Sequence, residues 1–367
     1  MFHDILTATC IISFSNLFFY YTFFFSRLNK YRKEGKLFQD PVSIIICAKN
    51  EAQNINNNLI SILEQEYSLF EVIVVNDQST DNSKILLKEL AKNYKNLVVV
   101  NIEDNVKTRL GKKFALTLGI KTAKYENLLL TDADCKPNSK YWIKNITANF
   151  NNSDIILGYS PYEKKKGLLN KIIRFDTFNV AQQYLSYSLA NQTYMGVGRN
   201  LAYKKSIFFS NKGFANHMHL PSGDDDLFIQ EVAKKDNVSI EIEKDSHITS
   251  EVITSWKNWI YQKRRHITTS KLYKKKYKIL LFIYPFSQLI FWLTSILILS
   301  LNFNINIIIT LIFLKLLVSY IINYKTMKKL SVNDLYLLHP LYEILLILVQ
   351  LFFVLLNSMN EPKKWHR

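Results

Sequence analysis

The sequence predicts an α/β fold, a mostly parallel sheet covered by helices on both faces, joined to transmembrane α-helices. Three observations carry this reading. Between Val42 and Leu130, short apolar runs alternate with helix-like stretches through short connections. The polar clusters all follow the apolar runs, so they gather along one edge of the expected sheet. Apolar stretches long enough to cross a bilayer stand at both ends of that region.

A chain of 367 residues has room for one large domain or two smaller ones. Hydrophobic residues make up 48% of it and are unevenly distributed, as expected of a membrane protein carrying a soluble domain. The net charge is +17. Much of the excess flanks apolar segments: Arg27, Lys30, Arg32, Lys33 and Lys36 follow the first, and a basic run from Lys263 to Lys278 precedes the second. That placement fits the positive-inside rule and attraction to anionic headgroups, and argues against nucleic acid as the partner. The three cysteines, Cys10, Cys47 and Cys135, form no metal-spaced cluster and suit free thiols in a reducing compartment.

Taken in order, Ile5 to Ser26 reads as a permanent anchor, since no Lys or Arg precedes it and no small-residue cleavage site ends it. The basic flank then puts the following domain in the cytoplasm, on the inner face of the cell membrane. VSIIIC, from Val42 to Cys47, reads as a buried strand, and a helical stretch follows to about Glu66. Glu71 to Val75 is a second strand ending in Asn76 and Asp77, with a helix expected from Ser83 to Tyr94. A third strand covers Leu97 to Asn101, a helix Gly111 to Ala123, and a fourth strand Asn127 to Leu130. Leu168 to Leu189 forms an aromatic-rich helix, either part of the domain or lying at the membrane interface. Three further apolar segments, near Ile279–Leu301, Ile305–Tyr324 and Leu335–Leu356, are each long enough to span. Lys315, His339, Pro340 and Glu343 interrupt the last two, and intramembrane charge faces protein. Three spans here set the terminal Lys363, Lys364 and Arg367 against the positive-inside rule, so one segment is re-entrant or the rule is weakly broken. The expected division is 1–36 anchor and basic flank, 37–270 cytoplasmic catalytic domain, and 271–367 C-terminal membrane region of two to three spans.

Thr131-Asp132-Ala133-Asp134 ends the fourth strand. In an extended chain, residues two apart point the same way, so Asp132 and Asp134 present two carboxylates together. Such hard oxygen ligands suit Mg²⁺ or Mn²⁺ when a diphosphate supplies further oxygens; the alternative is an ordinary surface turn. Lys112 begins a helix, where a cation and backbone dipoles favour phosphate, although it could be a solvated lysine. Asp224, Asp225 and Asp226 offer carboxylates for proton transfer, or caps for the helix after them. His217 and His219 have metal-like spacing, but no third ligand stands out.

Together these segments resemble the family-2 inverting glycosyltransferases, over roughly Val42 to Thr269 and in the family's order. VSIIICAKNE, from Val42 to Glu51, looks like the first strand and nucleotide loop, and Val74 to Asp77 with Ser79-Thr80-Asp81 looks like the second. Gly111-Lys112 with Ala115-Leu116 is similar to the GKxxAL helix start, and Asp132-Ala133-Asp134 to the D-x-D motif. Gly198-Arg199-Asn200 with Ala202-Tyr203 resembles the acceptor-side loop, and Gly223 to Asp226 the catalytic-base motif. Gln262 with Arg265-His266 resembles QxxRW, with His266 where the family has Trp.

The resemblance implies a GT-A (nucleotide-diphospho-sugar transferase) domain. It assigns Ala48, Asn50, Glu51, Asp77, Lys112, Asp132, Gln262 and Arg265 to the nucleotide-sugar donor, and Asp134 with Asp132 to a divalent metal, Mg²⁺ or Mn²⁺. Asn200 and His266 fall on the acceptor side. Asp225 becomes the base, with Asp224 beside it as the other catalytic candidate. The expectation is therefore a membrane-bound hexosyltransferase using a UDP-sugar and a lipid or lipid-linked acceptor, serving a cell-envelope glycan or glycolipid. A processive polysaccharide synthase, or a non-catalytic scaffold retaining the fold, are the alternatives.

Overall fold

The computed structural model describes residues 1–33, 38–102, 111–218, 220 and 222–359. A long helix, α1 (Phe2–Lys30), comes first. The strands that follow are β1 (Val42–Ala48), β2 (Phe70–Asp77), β3 (Leu97–Ile102), β4 (Asn127–Asp132), β5 (Cys135–Pro137), β6 (Ile155–Gly158), β7 (Leu201–Lys204), β8 (Val238–Glu241) and β9 (Ile248–Ser250). Among the helices, α2 (Ser83–Asn93) and α3 (Lys112–Thr122) alternate with the first strands, α4 (Leu168–Leu189) follows β6, and α5 (Asp226–Val232) precedes β8. The chain closes through α6 (Trp256–Ser270), α7 (Lys275–Ser300), α8 (Ile305–Lys329) and α9 (His339–Met359).

Residues 32–165 and 191–253 form one compact unit built on a seven-stranded sheet of order β3-β2-β1-β4-β7-β6-β8. All its pairings are parallel except those of β7 with β4 and β6. The continuous apolar runs read as strands because both faces are covered. Ile44, Ile46, Val72 and Val74 enter a core with Ile55, Leu59, Leu87 and Trp142. Ile45 and Val75 point the other way, onto α3. Gly119 sets that contact: a Cβ there would lie 2.7 Å from Ile45 Cγ2 and 3.1 Å from Val75 Cγ2. The expected strands and helices between Val42 and Ala123 are thus present, with boundaries shifted by up to three residues, the largest shift being the helical stretch that ends at Leu63 and not near Glu66.

The second unit holds Met1–Tyr31, Lys166–Ala190 and the described chain from Thr254. Among the described residues, four helical stretches are long and apolar enough to cross a membrane: Phe2–Lys30, Lys275–Ser300, Ile305–Lys329 and Asn333–Met359. Their interior is tied by one polar knot. Lys315 Nζ lies 2.7 Å from Glu343 Oε2, and Tyr21 donates to Glu343 Oε1 at 2.6 Å. Gln288 and Tyr284 of α7 join it, so all four stretches contribute. The side chains of Lys315 and Glu343 are 1% and 7% exposed, which places both charges against protein.

This grouping differs from the division at 36/37 and 270/271 expected from sequence, because α4 and α6 fall in the helical unit. Their polar residues explain it. Arg174 of α4 makes a two-pronged pair with Asp334 at 2.8 and 2.7 Å, and Asp176 pairs with Lys263 of α6. Arg264 of α6 donates to Asn357 Oδ1 of α9 at 2.8 Å. Arg174 and Asp176 of α4 are therefore buried and paired.

Replacing Gly119 by Val should wedge α3 away from β1 and β2, costing about 1–3 kcal/mol. The check is the unfolding midpoint of the detergent-solubilised protein, with Gly119→Ala expected to fall between wild type and Val. An unchanged midpoint for the valine variant would contradict the packing described.

Candidate active site

β1 is flanked by β2 on one side and β4 on the other, so the strand order reverses between β1 and β4. A reversal of this kind opens a crevice beyond the carboxyl ends of the strands. Cys47 and Asp132 are register partners there. The strand ends at Asp132 and the chain turns, with Ala133 buried and both Asp132 and Asp134 half-buried; Asp132 lines the cleft. Asn58 Nδ2 donates to Ala133 O at 3.2 Å, and the Cys135 thiol donates to Asp134 Oδ1 at 3.4 Å, fixing the turn.

Lys112, the first residue of α3, reaches across the cleft. Its Nζ lies 2.9 Å from Asp132 Oδ1 and 3.2 Å from Asp224 Oδ2. Burial opposes its charge, but Asp132, Asp224 and Asp225 outweigh that and hold the ammonium well above the usual lysine range. Asp225 caps α5: its Oδ1 accepts from Asp226 N and its Oδ2 from Gly198 N, both at 2.9 Å. Burial and the neighbouring Asp224 push the Asp225 carboxyl above its ordinary value, against Lys112 and the two amides. Gly223, at φ +96°, makes the turn that delivers these acids. Asp226 is buried, its Oδ1 held by Leu227 N, so it is not exposed for proton transfer. The cleft is lined by Cys47, Lys112, Thr131, Asp132, Gly198, Asp224 and Asp225 above Ile45, Leu116 and Leu130.

The nucleotide-side loops are locked together next to it. Asn50, in the left-handed region at φ 55°, accepts at Oδ1 from Thr80 N at 2.8 Å, and its own amide donates to Ser79 Oγ at 2.9 Å. Ala52 N donates to Asp81 Oδ2 at 3.0 Å. Ala48, the last residue of β1, is buried, and Glu51 is buried and accepts from Asn54 Nδ2 at 2.6 Å. Asp77 closes β2 with its Oδ1 buried and unpartnered among the described residues, while Lys49 stands 3.9 Å from Oδ2. Burial raises the Asp77 carboxyl and Lys49 partly offsets this. An orphaned buried acceptor at a strand end is a place where a ligand donor fits.

Not every expected site residue converges here. Asn200 is fully buried: Oδ1 accepts from Trp142 Nε1 at 3.1 Å, and Nδ2 donates to the carbonyls of Tyr159 and Ser246 at 2.8 and 2.9 Å. It braces the core and offers nothing to an acceptor, which corrects its acceptor-side assignment. Gln262, Arg265 and His266 belong to α6 of the helical unit and are described by that unit alone, with His266 exposed. His217 is buried and its carbonyl accepts from Lys113 Nζ at 2.6 Å; His219 lies outside the described residues. Sequence reasoning gave no role to Arg199, the residue between Gly198 and Asn200. Its Nη1 donates to Ser250 Oγ at 2.8 Å, and its guanidinium sits 4.5 Å from the centre of the Tyr162 ring.

The donor set fits a hard divalent cation only in part. Among the described residues no three His, Cys, Asp or Glu converge on one point. Asp132 and Asp134 bring two accessible carboxylates, so the remaining ligands have to come from water or from the phosphates of a donor.

The Glycosyl transferase family 2 model matches residues 43–209. A poly-beta-1,6-N-acetyl-D-glucosamine synthase from Staphylococcus epidermidis is 37% identical over 93 residues, 25% of this chain and 21% of that protein. An uncharacterized glycosyltransferase from Haemophilus influenzae is 32% identical over 135 residues, 35% of this chain and 40% of that protein. The chain thus spans well under half the length of these relatives. In fold it is similar to the mannosyltransferase PcManGT of Pyrobaculum calidifontis, solved with GDP-Man and Mn²⁺: TM-score 0.59 and 17% identity over 94% of this chain and 99% of that one.

Asp224→Asn should lower the pKa of Asp225, because it removes a like charge and frees Lys112 for the remaining carboxylate. Infrared titration of the carboxyl band, with Asp225→Asn to identify the signal, measures this. An upward or absent shift would contradict the electrostatic arrangement.

Proposed function

Because the Glycosyl transferase family 2 model matches residues 43–209, we propose that the chain is a glycosyltransferase that transfers one sugar from a nucleotide-sugar, a UDP-sugar, to a lipid or lipid-linked acceptor with inversion at the anomeric carbon. The observation that carries this is the contact of Lys112 with both Asp132 and Asp224 beside Asp225, in a cleft at the strand reversal. It gathers a metal-type carboxylate, a phosphate-type cation and a base around one volume.

In this reading the nucleoside lies over the β1 and β2 ends, where Asp77 offers its orphaned oxygen and Asn50 fixes the loop. Ala48 and Glu51 border the same loop. Asp132 and Asp134 would hold Mg²⁺ or Mn²⁺, and such an ion supplies charge stabilisation to the departing nucleoside diphosphate. Lys112 adds a fixed positive charge to that leaving group. Asp225 takes the proton from the acceptor hydroxyl as its oxygen attacks the anomeric carbon. Its two amide bonds leave lone pairs for this, and its raised pKa brings it towards the operating range. Asp224 keeps Lys112 in place. The family resemblance assigns Gln262 and Arg265 to the diphosphate and His266 to the acceptor side. The four apolar stretches anchor the enzyme in the cell membrane with the sheet unit in the cytoplasm, and the basic run before α7 meets anionic headgroups.

The similarity to a poly-beta-1,6-N-acetyl-D-glucosamine synthase favours a second reading, repeated addition to a growing polymer. Membranes containing the protein, incubated with a panel of labelled nucleotide-sugars, decide between the two. Single transfer yields one labelled lipid-soluble product, whereas a ladder of longer products establishes the polymerase. In the same assay Asp225→Asn should keep nucleotide binding and lose transfer by about 10²–10⁴-fold. Asp134→Ala should lose metal-dependent nucleotide binding. Full transfer by the Asp225 variant would remove it as the base.

A further inference from the structure

Among the described residues, Arg199 is a cation near the cleft that no carboxylate closes by direct contact, although Asp134 and Asp132 are near enough to favour its charge. Lys112 is engaged by two aspartates. Arg199, among the described residues, forms no ion pair within 4 Å: its partners are the Ser250 hydroxyl and the face of Tyr162. Both partners are neutral, and both are themselves fixed. Ser250 is buried on β9, in register with Cys135 of β5, and its amide donates to Pro161 O at 2.9 Å while its carbonyl accepts from Glu163 N at 3.0 Å. Tyr162 is held between those two bonds. The Ser250 hydroxyl also lies 3.1 Å from Cys135 Sγ, and that thiol contacts Asp134. At its other end, Arg199 follows Gly198, whose amide holds Asp225. One half-buried guanidinium is therefore braced between the turn carrying Asp134 and the turn supporting Asp225.

Resting on the transferase reading above, we propose that Arg199 forms a second anion subsite of this centre and binds a phosphoryl oxygen of a substrate. A guanidinium stacked on an aromatic ring keeps its planar fork pre-organised while most of its N–H donors stay available. Oriented donors of this type match phosphate geometry, whereas a cation already closed by a carboxylate would not. The phosphoryl group has two sources: the outer phosphate of the nucleoside diphosphate, or a phosphate carried by the acceptor.

The test measures calorimetric binding of UDP and UMP with Mn²⁺ to the full-length protein in detergent. Inorganic phosphate is then titrated into the UDP-saturated enzyme. For Arg199→Met, loss of about ten- to a hundred-fold in UDP affinity with UMP unchanged supports the donor source. Unchanged UDP affinity with a comparable loss of phosphate binding supports the acceptor source. Arg199→Lys keeps the charge without the fork and should fall between the two; it also serves if the methionine variant unfolds. Wild-type-like binding of UDP and phosphate by both variants would overturn the subsite, as would an equal fall for UDP and UMP. Should the wild type bind no nucleotide, the transferase reading fails first, and phosphate binding compared between wild type and variants still decides the role of Arg199.

Discussion

The Lys112 ammonium between Asp132 and Asp224 is the contact on which the arrangement of the cleft depends. Two carboxylates brought together from different parts of a chain repel each other, by about 4 kcal/mol at 4 Å in a partly screened environment. The lysine converts that repulsion into a bridge joining the end of β4 to the turn before α5. Its own position is set by packing: α3 lies on β1 and β2 through Gly119, which brings the helix start to the strand ends. Core geometry and site electrostatics are thus one problem here.

The helical unit solves a similar problem with different constraints. In hydrocarbon an isolated charge is costly, so Lys315 and Glu343 must find each other, and the residual acceptor capacity of Glu343 draws in Tyr21 and Gln288. Removing one partner would strand the other, which makes the knot a stronger constraint on helix register than any apolar contact around it.

Much of the sheet was legible because burial on both faces writes continuous apolar runs; the strand itself ends at Asp132, so Asp134 stands in the turn, where the strand period no longer decides its direction. The turn acids and Lys112 were legible for the same reason: chemistry placed at strand ends converges whatever the intervening sequence. Asn200 was misread because a motif asparagine looks the same facing a ligand or a core, and only its three long-range bonds tell them apart. Arg199 was missed for the complementary reason. Its meaning resides in Ser250 and Tyr162, which tertiary folding alone brings to it. The allegiance of α4 and α6 was equally hidden, since it follows from pairs such as Arg174 with Asp334 that span long stretches of chain.

The choice between one transfer and many bears on how the polar interior of the helical unit is used. Exporting a hydrated polymer calls for polar groups that face a lumen and exchange partners with a moving chain. Here Tyr21, Tyr284, Gln288, Lys315 and Glu343 are buried and bonded to one another, and Ser319 is bonded to His339. To serve a polymer those bonds would have to open together and expose an ion pair. An interior closed on itself is better matched to an anchor than to a conduit. The proposed single-transfer reading requires only such an anchor.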